Sequence, residues 1–188
     1  SAFNRIPTML NFTAGSRNLK AALKAGQISR IITAHKFVEL GGLEALMEEL
    51  SGSAEIVYLE DVRENLTLAN KLIAAVGNIL PGLVRKQSRY KSPGVMLFTS
   101  GTEGEPKGVV LSHENVMANV EQVRAHIGLS PDTDSLFNPL PTFHCFGLTV
   151  GAVLPLVAGI PVIFHPSPLQ PREIVRRIRA NQSTILLA

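Results

Sequence analysis

Short apolar runs rich in β-branched residues alternate with helix-length amphipathic stretches along the chain, and that alternation limits what it can fold into. "TMLNFT" (8–13), "ISRIITA" (28–34), "AEIVYLE" (54–60), "GVMLFTS" (94–100) and "GVVLS" (108–112) read as strands. Between them, "SRNLKAALKAG" (16–26), "HKFVELGGLEALMEEL" (35–50), "NLTLANKLIAAVGNIL" (65–80) and "HENVMANVEQVRAHIG" (113–128) read as helices. Gly26 and Pro81-Gly82 sit where helices stop, and Ser112 sits where one starts. "LFNPLP" (136–141), a helix over "PREIVRRIRAN" (171–181) and a strand in "STILLA" (183–188) come after them. Alternation of this kind predicts an α/β fold of mostly parallel sheets flanked by helices. "LSPDTD" (129–134) is the natural boundary, which gives a first lobe over 1–130 and the start of a second over 131–188. Domains rarely finish on a strand with no closing turn, so the pattern predicts a truncated second lobe. It also predicts self-association through the bare strand at 183–188 unless another segment covers it.

The 188 residues suffice for a real core, and 45% hydrophobic with 18% charged residues is a globular composition. A net charge of +3 without a run of five basic residues gives no case for nucleic acid. Cys145 is the only cysteine, which rules out an internal disulfide and points to a reducing compartment. His35, His113, His126, His144 and His165 have no metal-ligand spacing, so no metal site is expected. His144-Cys145 are sequence neighbours with no third group in view, which argues against a cysteine nucleophile and base.

Two apolar segments have competing readings. "FGLTVGAVLPLVAGIPVIF" (146–164) is 19 residues long, enough for a membrane span. Pro155, Gly159 and Pro161 divide it instead into a buried helix and a buried strand, with Gly159 ending the helix. "KLIAAVGNILPGLVRKQSRYK" (71–91) runs an apolar helix into Arg85, Lys86, Arg89 and Lys91, a cluster that anionic lipid at a membrane surface would attract. A core helix followed by a solvated linker is the favoured reading.

The densest chemistry is in "VMLFTSGTEGEPKGVVLSHEN" (95–115). A Walker loop, G-x-x-x-x-G-K-[ST] opening a helix, requires glycine at 106 and Ser or Thr at 108 when counted from Gly101. Pro106 and Gly108 stand there, and the helix signal waits until Ser112. The loop is therefore expected to join two strands. It still suits phosphate. Gly101, Gly104 and Gly108 let an anion approach the main chain, whose successive N–H groups form a nest. Thr99, Ser100 and Thr102 add hydroxyl donors, and Lys107 adds a mobile positive charge. Glu103 and Glu105 weigh against a permanently bound anion. A polar hairpin loop with no ligand remains the alternative.

"TSGTEGEPKGVVLSH" (99–113) resembles the signature loop of the adenylate-forming superfamily, TSG[ST]TGxPKG, with Glu103 in place of the usual Thr. "PLPTFHCFGLTVG" (139–151) resembles its second motif, with His144 at the family's histidine. "NFTAG", "ANVEQ" and "PSPL" look most like one branch, the acyl-acyl carrier protein synthetase part of bacterial 2-acylglycerophosphoethanolamine acyltransferase. The resemblance covers nearly the whole chain and implies part of the large N-terminal domain of such an enzyme. It implies ATP with Mg at Thr99, Ser100, Gly101, Thr102, Gly104, Lys107 and Gly108. It implies a catalytic role for His144 at the entrance of a fatty acid site. Its partners would be a fatty acid, acyl carrier protein and a lysophospholipid, at the cytoplasmic side of the bacterial inner membrane. An acyl-CoA synthetase of the same superfamily, or a non-catalytic ATP- or partner-binding module, are the alternatives. The family's adenine, ribose, hinge and C-terminal lysine motifs do not occur in these 188 residues, so the chain by itself is expected to be soluble and inactive.

Overall fold

The computed structural model describes residues 5–80, 89–100 and 105–188. The order of elements matches the sequence pattern. β1 (Thr8–Met9), α1 (Ser16–Ala25), β2 (Arg30–Thr33), α2 (His35–Gly41), α3 (Glu44–Ser51), β3 (Glu55–Tyr58), α4 (Leu59–Glu64) and α5 (Leu68–Ile79) come first. β4 (Pro93–Ser100), β5 (Pro106–Ser112), α6 (His113–His126) and β6 (Leu136–Asn138) are next. The chain continues with α7 (Cys145–Leu148), a π-helical turn (Thr149–Val153), α8 (Leu154–Ala158), β7 (Val162–Phe164), α9 (Pro171–Asn181) and β8 (Ile185–Leu186).

Two compact units divide the chain. The first takes Ser1–Arg89 and Phe98–Val109; the second takes Tyr90–Leu97 and Val110–Ala188. The division runs through β4 and β5 instead of the 130/131 boundary read from the sequence, so α6 belongs to the second unit. β4 and β5 are continuous strands, and a strand pattern in sequence does not tell which core each end will join.

In the first unit β2 and β3 pair in parallel, Arg30 opposite Glu55 and Thr33 opposite Tyr58. Leu19 and Leu23 of α1, Val38 of α2, and Met47 and Leu50 of α3 form its core. The single helix read over 35–50 is two helices, because Gly42 caps α2 in the left-handed region (φ 59°) and turns the chain into α3. Only Thr8–Met9 of "TMLNFT" is strand. Asn11 turns the chain there, its Oδ1 accepting from the N–H (3.0 Å) and hydroxyl (2.7 Å) of Thr13. α5 corrects the core-helix reading: none of its residues is buried, and Leu68 and Ile79 are each 79% exposed. Arg85, Lys86 and the expected stop at Pro81-Gly82 lie outside the described residues.

The second unit holds a parallel sheet in the order β7-β6-β8, Leu136 lying opposite both Val162 and Ile185. The connection from β6 to β7 and the one from β7 to β8 cross in opposite directions. Right-handed crossovers therefore place α7 and α8 on one face and α9 on the other. The side chains agree. Leu136 packs with Val150, Leu154 and Val120. Phe137, one residue on, faces the other way toward His165, which reaches Arg177 of α9.

The long apolar stretch is thus a helical segment and a strand, divided where its prolines and glycine predict, but it is not buried throughout: Leu156 is 77% exposed and β7 has no buried residue. Gly159 ends α8 in the left-handed region (φ 72°). No helix among the described residues is long and apolar enough to cross a membrane. Pro155 has no N–H to offer the Gly151 carbonyl, and the turn before it widens: the Leu154 N–H bonds back to the Thr149 carbonyl.

Two substitutions test this packing. Gly151 lies so close to the end of β6 that an added Cβ would run into the buried Asn138 carboxamide. Gly151→Ala should therefore destabilise the second unit by about 1–3 kcal/mol in denaturant titrations. Stability equal to wild type would show that the contact is loose. The other site is the start of α2, where Ala34 offers no capping atom. Glu60 supplies one from α4, accepting from the N–H of His35 (3.0 Å) and of Lys36 (3.4 Å). The His35 N–H bond in particular holds the Glu60 carboxyl below its ordinary value of 4.5. A depressed carboxyl stabilises the fold above its unfolded value and loses that contribution as pH falls through the folded one. Glu60→Gln should lower the melting temperature at pH 7, and the difference should close as pH drops below 4.5. A gap that persists in acid would contradict the cap.

Candidate functional site

β4 and β5 are neighbours in one sheet, in the order β1-β4-β5. Five residues, 101–105, connect them, too few for the crossover that parallel strands need. The pair is therefore an antiparallel hairpin, as the sequence predicts. Pro106 stands at the first position of β5, where a strand tolerates a missing N–H.

The helix after the hairpin decides how this region can meet an anion. A free helix N-terminus offers main-chain N–H groups to phosphate. The first turn of α6 has none to offer. The His113 N–H donates to the Ser92 carbonyl (3.2 Å) and the Glu114 N–H to the Tyr90 carbonyl (3.0 Å). The Asn115 N–H donates to the Ser112 hydroxyl (3.1 Å), while Asn115 Oδ1 accepts from the Ser112 N–H (3.0 Å). This capping box confirms Ser112 as the N-cap. Gly94 makes the arrangement possible, since a Cβ there would lie 3.1 Å from the His113 nitrogen.

Among the sequence-derived site residues, Thr99, Ser100, Lys107 and Gly108 are described and lie on the two facing arms of the hairpin. Thr99, Lys107 and Gly108 are exposed, and Lys107 has no carboxylate partner among the described residues. Gly101, Thr102 and Gly104 lie outside the described residues. An exposed, uncommitted ammonium on one arm, with a glycine next to it in sequence, and an exposed hydroxyl on the other fit a phosphate group approaching from solvent. The described residues contain no group of three His, Cys, Asp or Glu that could hold a metal ion. A cleft of about 570 Å³ in the first unit, lined by His35, Glu39, Glu44, Met47 and Tyr58 among others, contains none of these residues. Its carboxylate rim repels phosphate.

His144 belongs to the second unit. It is the N-cap residue of α7, on the connection leaving the carboxyl end of β6. Its N–H donates to the Pro141 carbonyl (3.1 Å) and its carbonyl accepts from Leu148 (2.9 Å). The imidazole is exposed and makes no capping bond. The connection is held from behind by Asn138, which sequence reasoning did not single out. Asn138 is 0% exposed; its Nδ2 donates to the Gly147 carbonyl (3.4 Å) and its Oδ1 accepts from the Leu140 N–H (2.9 Å). Gly147 and Gly151 were the signal of close backbone approach: a Cβ at Gly151 would run into the Asn138 carboxamide, and one at Gly147 into the Pro141 carbonyl. His165 was also missed. It is buried at the end of β7, with Nδ1 3.2 Å from an Arg177 guanidinium nitrogen and Nε2 without a partner among the described residues. A guanidinium only donates, so Nδ1 is the accepting atom of that contact.

The family model "AMP-binding enzyme" matches residues 2–188. A long-chain-fatty-acid–AMP ligase, FadD28 of Mycobacterium tuberculosis, is 34% identical over 87 residues, covering 44% of this chain and 15% of that protein. The acyl-CoA ligase sidI of Aspergillus fumigatus is 26% identical over 184 residues, covering 96% of this chain and 31% of its own length. The chain thus spans less than a third of the length of either. Among solved structures, o-succinylbenzoate CoA synthetase of Bacillus subtilis, in complex with its acyl-adenylate intermediate, superposes with a TM-score of 0.76 at 16% identity, over 97% of this chain and 42% of that one. The same enzyme in complex with ATP and magnesium ion gives 0.75 at 16% identity, over 97% and 34%. At that identity the likeness shows the fold, an α/β fold matching part of the N-terminal domain of adenylate-forming enzymes. With the family model covering all but the first residue, the chain belongs to the AMP-binding enzyme family.

Proposed function

We propose that this chain is the phosphate-holding part of a longer ATP-dependent acyl ligase. The observation that carries the reading is the uncommitted Lys107 on a hairpin whose following helix has no free N-terminal amides. The substrate is a fatty acid. Its carboxylate attacks the α-phosphate of ATP, the bond to the β-phosphate breaks, and acyl-adenylate and pyrophosphate form. Thr99, Ser100, Lys107 and Gly108, with Gly101, Thr102 and Gly104, hold the β- and γ-phosphates and stabilise the charge that gathers on the departing pyrophosphate. Magnesium, bound together with ATP, would supply further positive charge against that build-up. A relative that ligates long-chain fatty acid to AMP and a structural neighbour bound to ATP and magnesium support this chemistry.

His144 lines the approach of the fatty acid. Its exposed imidazole at the carboxyl end of β6 supports this role, because ligands of open α/β sheets gather at that edge. The acyl group then passes to the thiol of acyl carrier protein and on to a lysophospholipid. Transfer to CoA is the second reading, favoured by the acyl-CoA ligase among the relatives. The same reading places the protein at the cytoplasmic face of a bacterial inner membrane, supported by the exposed apolar side chains of Leu68, Leu72, Ile73 and Ile79.

Two variants of the full-length protein test the assignment. Lys107→Ala should weaken adenylate formation by about 1–3 kcal/mol, roughly 5- to 150-fold in ATP–pyrophosphate exchange. Exchange at the wild-type rate would remove the loop from the chemistry and favour a binding module without catalysis. His144→Ala leaves both main-chain bonds of residue 144 in place, so stability should stay within about 0.5 kcal/mol of wild type. Adenylate formation should nevertheless fall. Normal rates with fatty acids of every length would leave His144 as a helix-start residue only.

A further inference from the structure

Strand residues two apart share a face, so β6 sets Leu136 and Asn138 side by side against the helical segment that follows. Leu136 packs there with Val150 and Leu154. Asn138, at 0% exposure, continues that apolar face with a carboxamide. A buried polar side chain adds nothing to packing that an apolar one of like volume would not supply. What it adds is direction. Oδ1 accepts from the Leu140 N–H (2.9 Å), closing an Asx turn, and Nδ2 donates to the Gly147 carbonyl (3.4 Å). One side chain thus clips both ends of residues 140–147. Its own strand end is held too, since the Asn138 carbonyl accepts from the His165 N–H (2.9 Å). His144 lies between the two clips. Its N–H and carbonyl are bonded to Pro141 and Leu148, and its imidazole makes no capping bond. The imidazole therefore stands where the clipped connection carries it.

We propose that Asn138 is a positioning residue for the fatty acid. It sets the place of His144 on the approach of the acyl chain, and the inference rests on the reading of His144 given above. Asn138 itself is buried and acts only through the connection. Without the carboxamide the main-chain bonds of residue 144 still form, so α7 still starts there, while the ends of the connection are free to shift. A misplacement of about 1 Å is enough to slow a reaction that depends on alignment by as much as roughly 100-fold. Gly151 gives a second handle on the same contact. A Cβ there would meet the Asn138 carboxamide and displace it with both its bonding atoms intact.

The test measures ATP–pyrophosphate exchange in the full-length protein as a function of fatty acid and of ATP. Asn138→Ala removes both clips. Asn138→Ser keeps a hydroxyl that can accept from the Leu140 N–H and is too short to reach Gly147, so it removes one. The KM for fatty acid should rise about threefold in the Ser variant and about tenfold in the Ala variant, with the KM for ATP within about twofold of wild type. Each change is then combined with His144→Ala. A residue that acts through His144 has nothing further to lose, so the fatty acid KM of the double variants should equal that of His144→Ala alone. Lost packing by itself would raise it by the same factor in both backgrounds. Should neither Asn138 variant fold, Gly151→Ala carries the same comparison and should show the same dependence on His144. An unchanged fatty acid KM in these variants, or an equal rise with and without His144, overturns the proposal and leaves the reading of His144 standing. A wild-type fatty acid KM in His144→Ala removes that reading, and the proposal with it.

Discussion

The N–H groups of His113, Glu114 and Asn115 are bonded before any ligand arrives, to Ser92, Tyr90 and the Ser112 hydroxyl. Those three bonds fix what the glycine-rich segment is. They tie the start of α6 to the residues leading into β4, and with Gly94 they bring helix and strand into close contact. The same bonds remove the anion site that a helix start would otherwise present. The phosphate site proposed here is therefore assigned to the hairpin, with Lys107 and Thr99 as its described side chains. Pro106 and Gly108, which exclude a Walker loop, are well placed in a hairpin: one opens β5 and the other leaves room on its exposed side.

A second contact organises the carboxyl end of the β7-β6-β8 sheet. Asn138 ties the end of β6 both to the turn at Leu140 and to the carbonyl of Gly147, and its own carbonyl accepts from the His165 N–H at 2.9 Å. The helical segment from Cys145 to Ala158 can sit here only because Gly151 has no Cβ to meet Asn138 and Gly147 has none to meet the Pro141 carbonyl. The position of His144 is a consequence, since it is the last residue before that segment begins.

Much of this was legible in the sequence. Strand and helix order came from periodicity, because each element buries one side and the pattern records which. Gly26, Gly159 and Ser112 marked real helix ends, since their stop and start signals are local. Tertiary context escaped the reading. α5 has the apolar composition of a core helix, yet the first unit closes its core with α1, α2 and α3 alone. The Gly41-Gly42 pair reads as helix interior because neighbouring residues are strong helix formers, while Gly42 at positive φ breaks it. α4 reads as the end of a strand, because nothing in "LEDVRE" signals that Glu60 turns back to cap α2. The glycines after Asn138 hint at a close approach without naming the residue approached, and no local pattern joins His165 to Arg177, twelve residues on.

The central claim is that anions are held by the hairpin and not by the helix after it. Backbone amide chemical shifts of the isotopically labelled protein, monitored during titration with ATP and with inorganic triphosphate, test it directly. The structure predicts shifts within residues 99–108, with His113, Glu114 and Asn115 unmoved because their N–H groups stay in place. Saturable shifts at those three amides, with residues 99–108 silent, would contradict it.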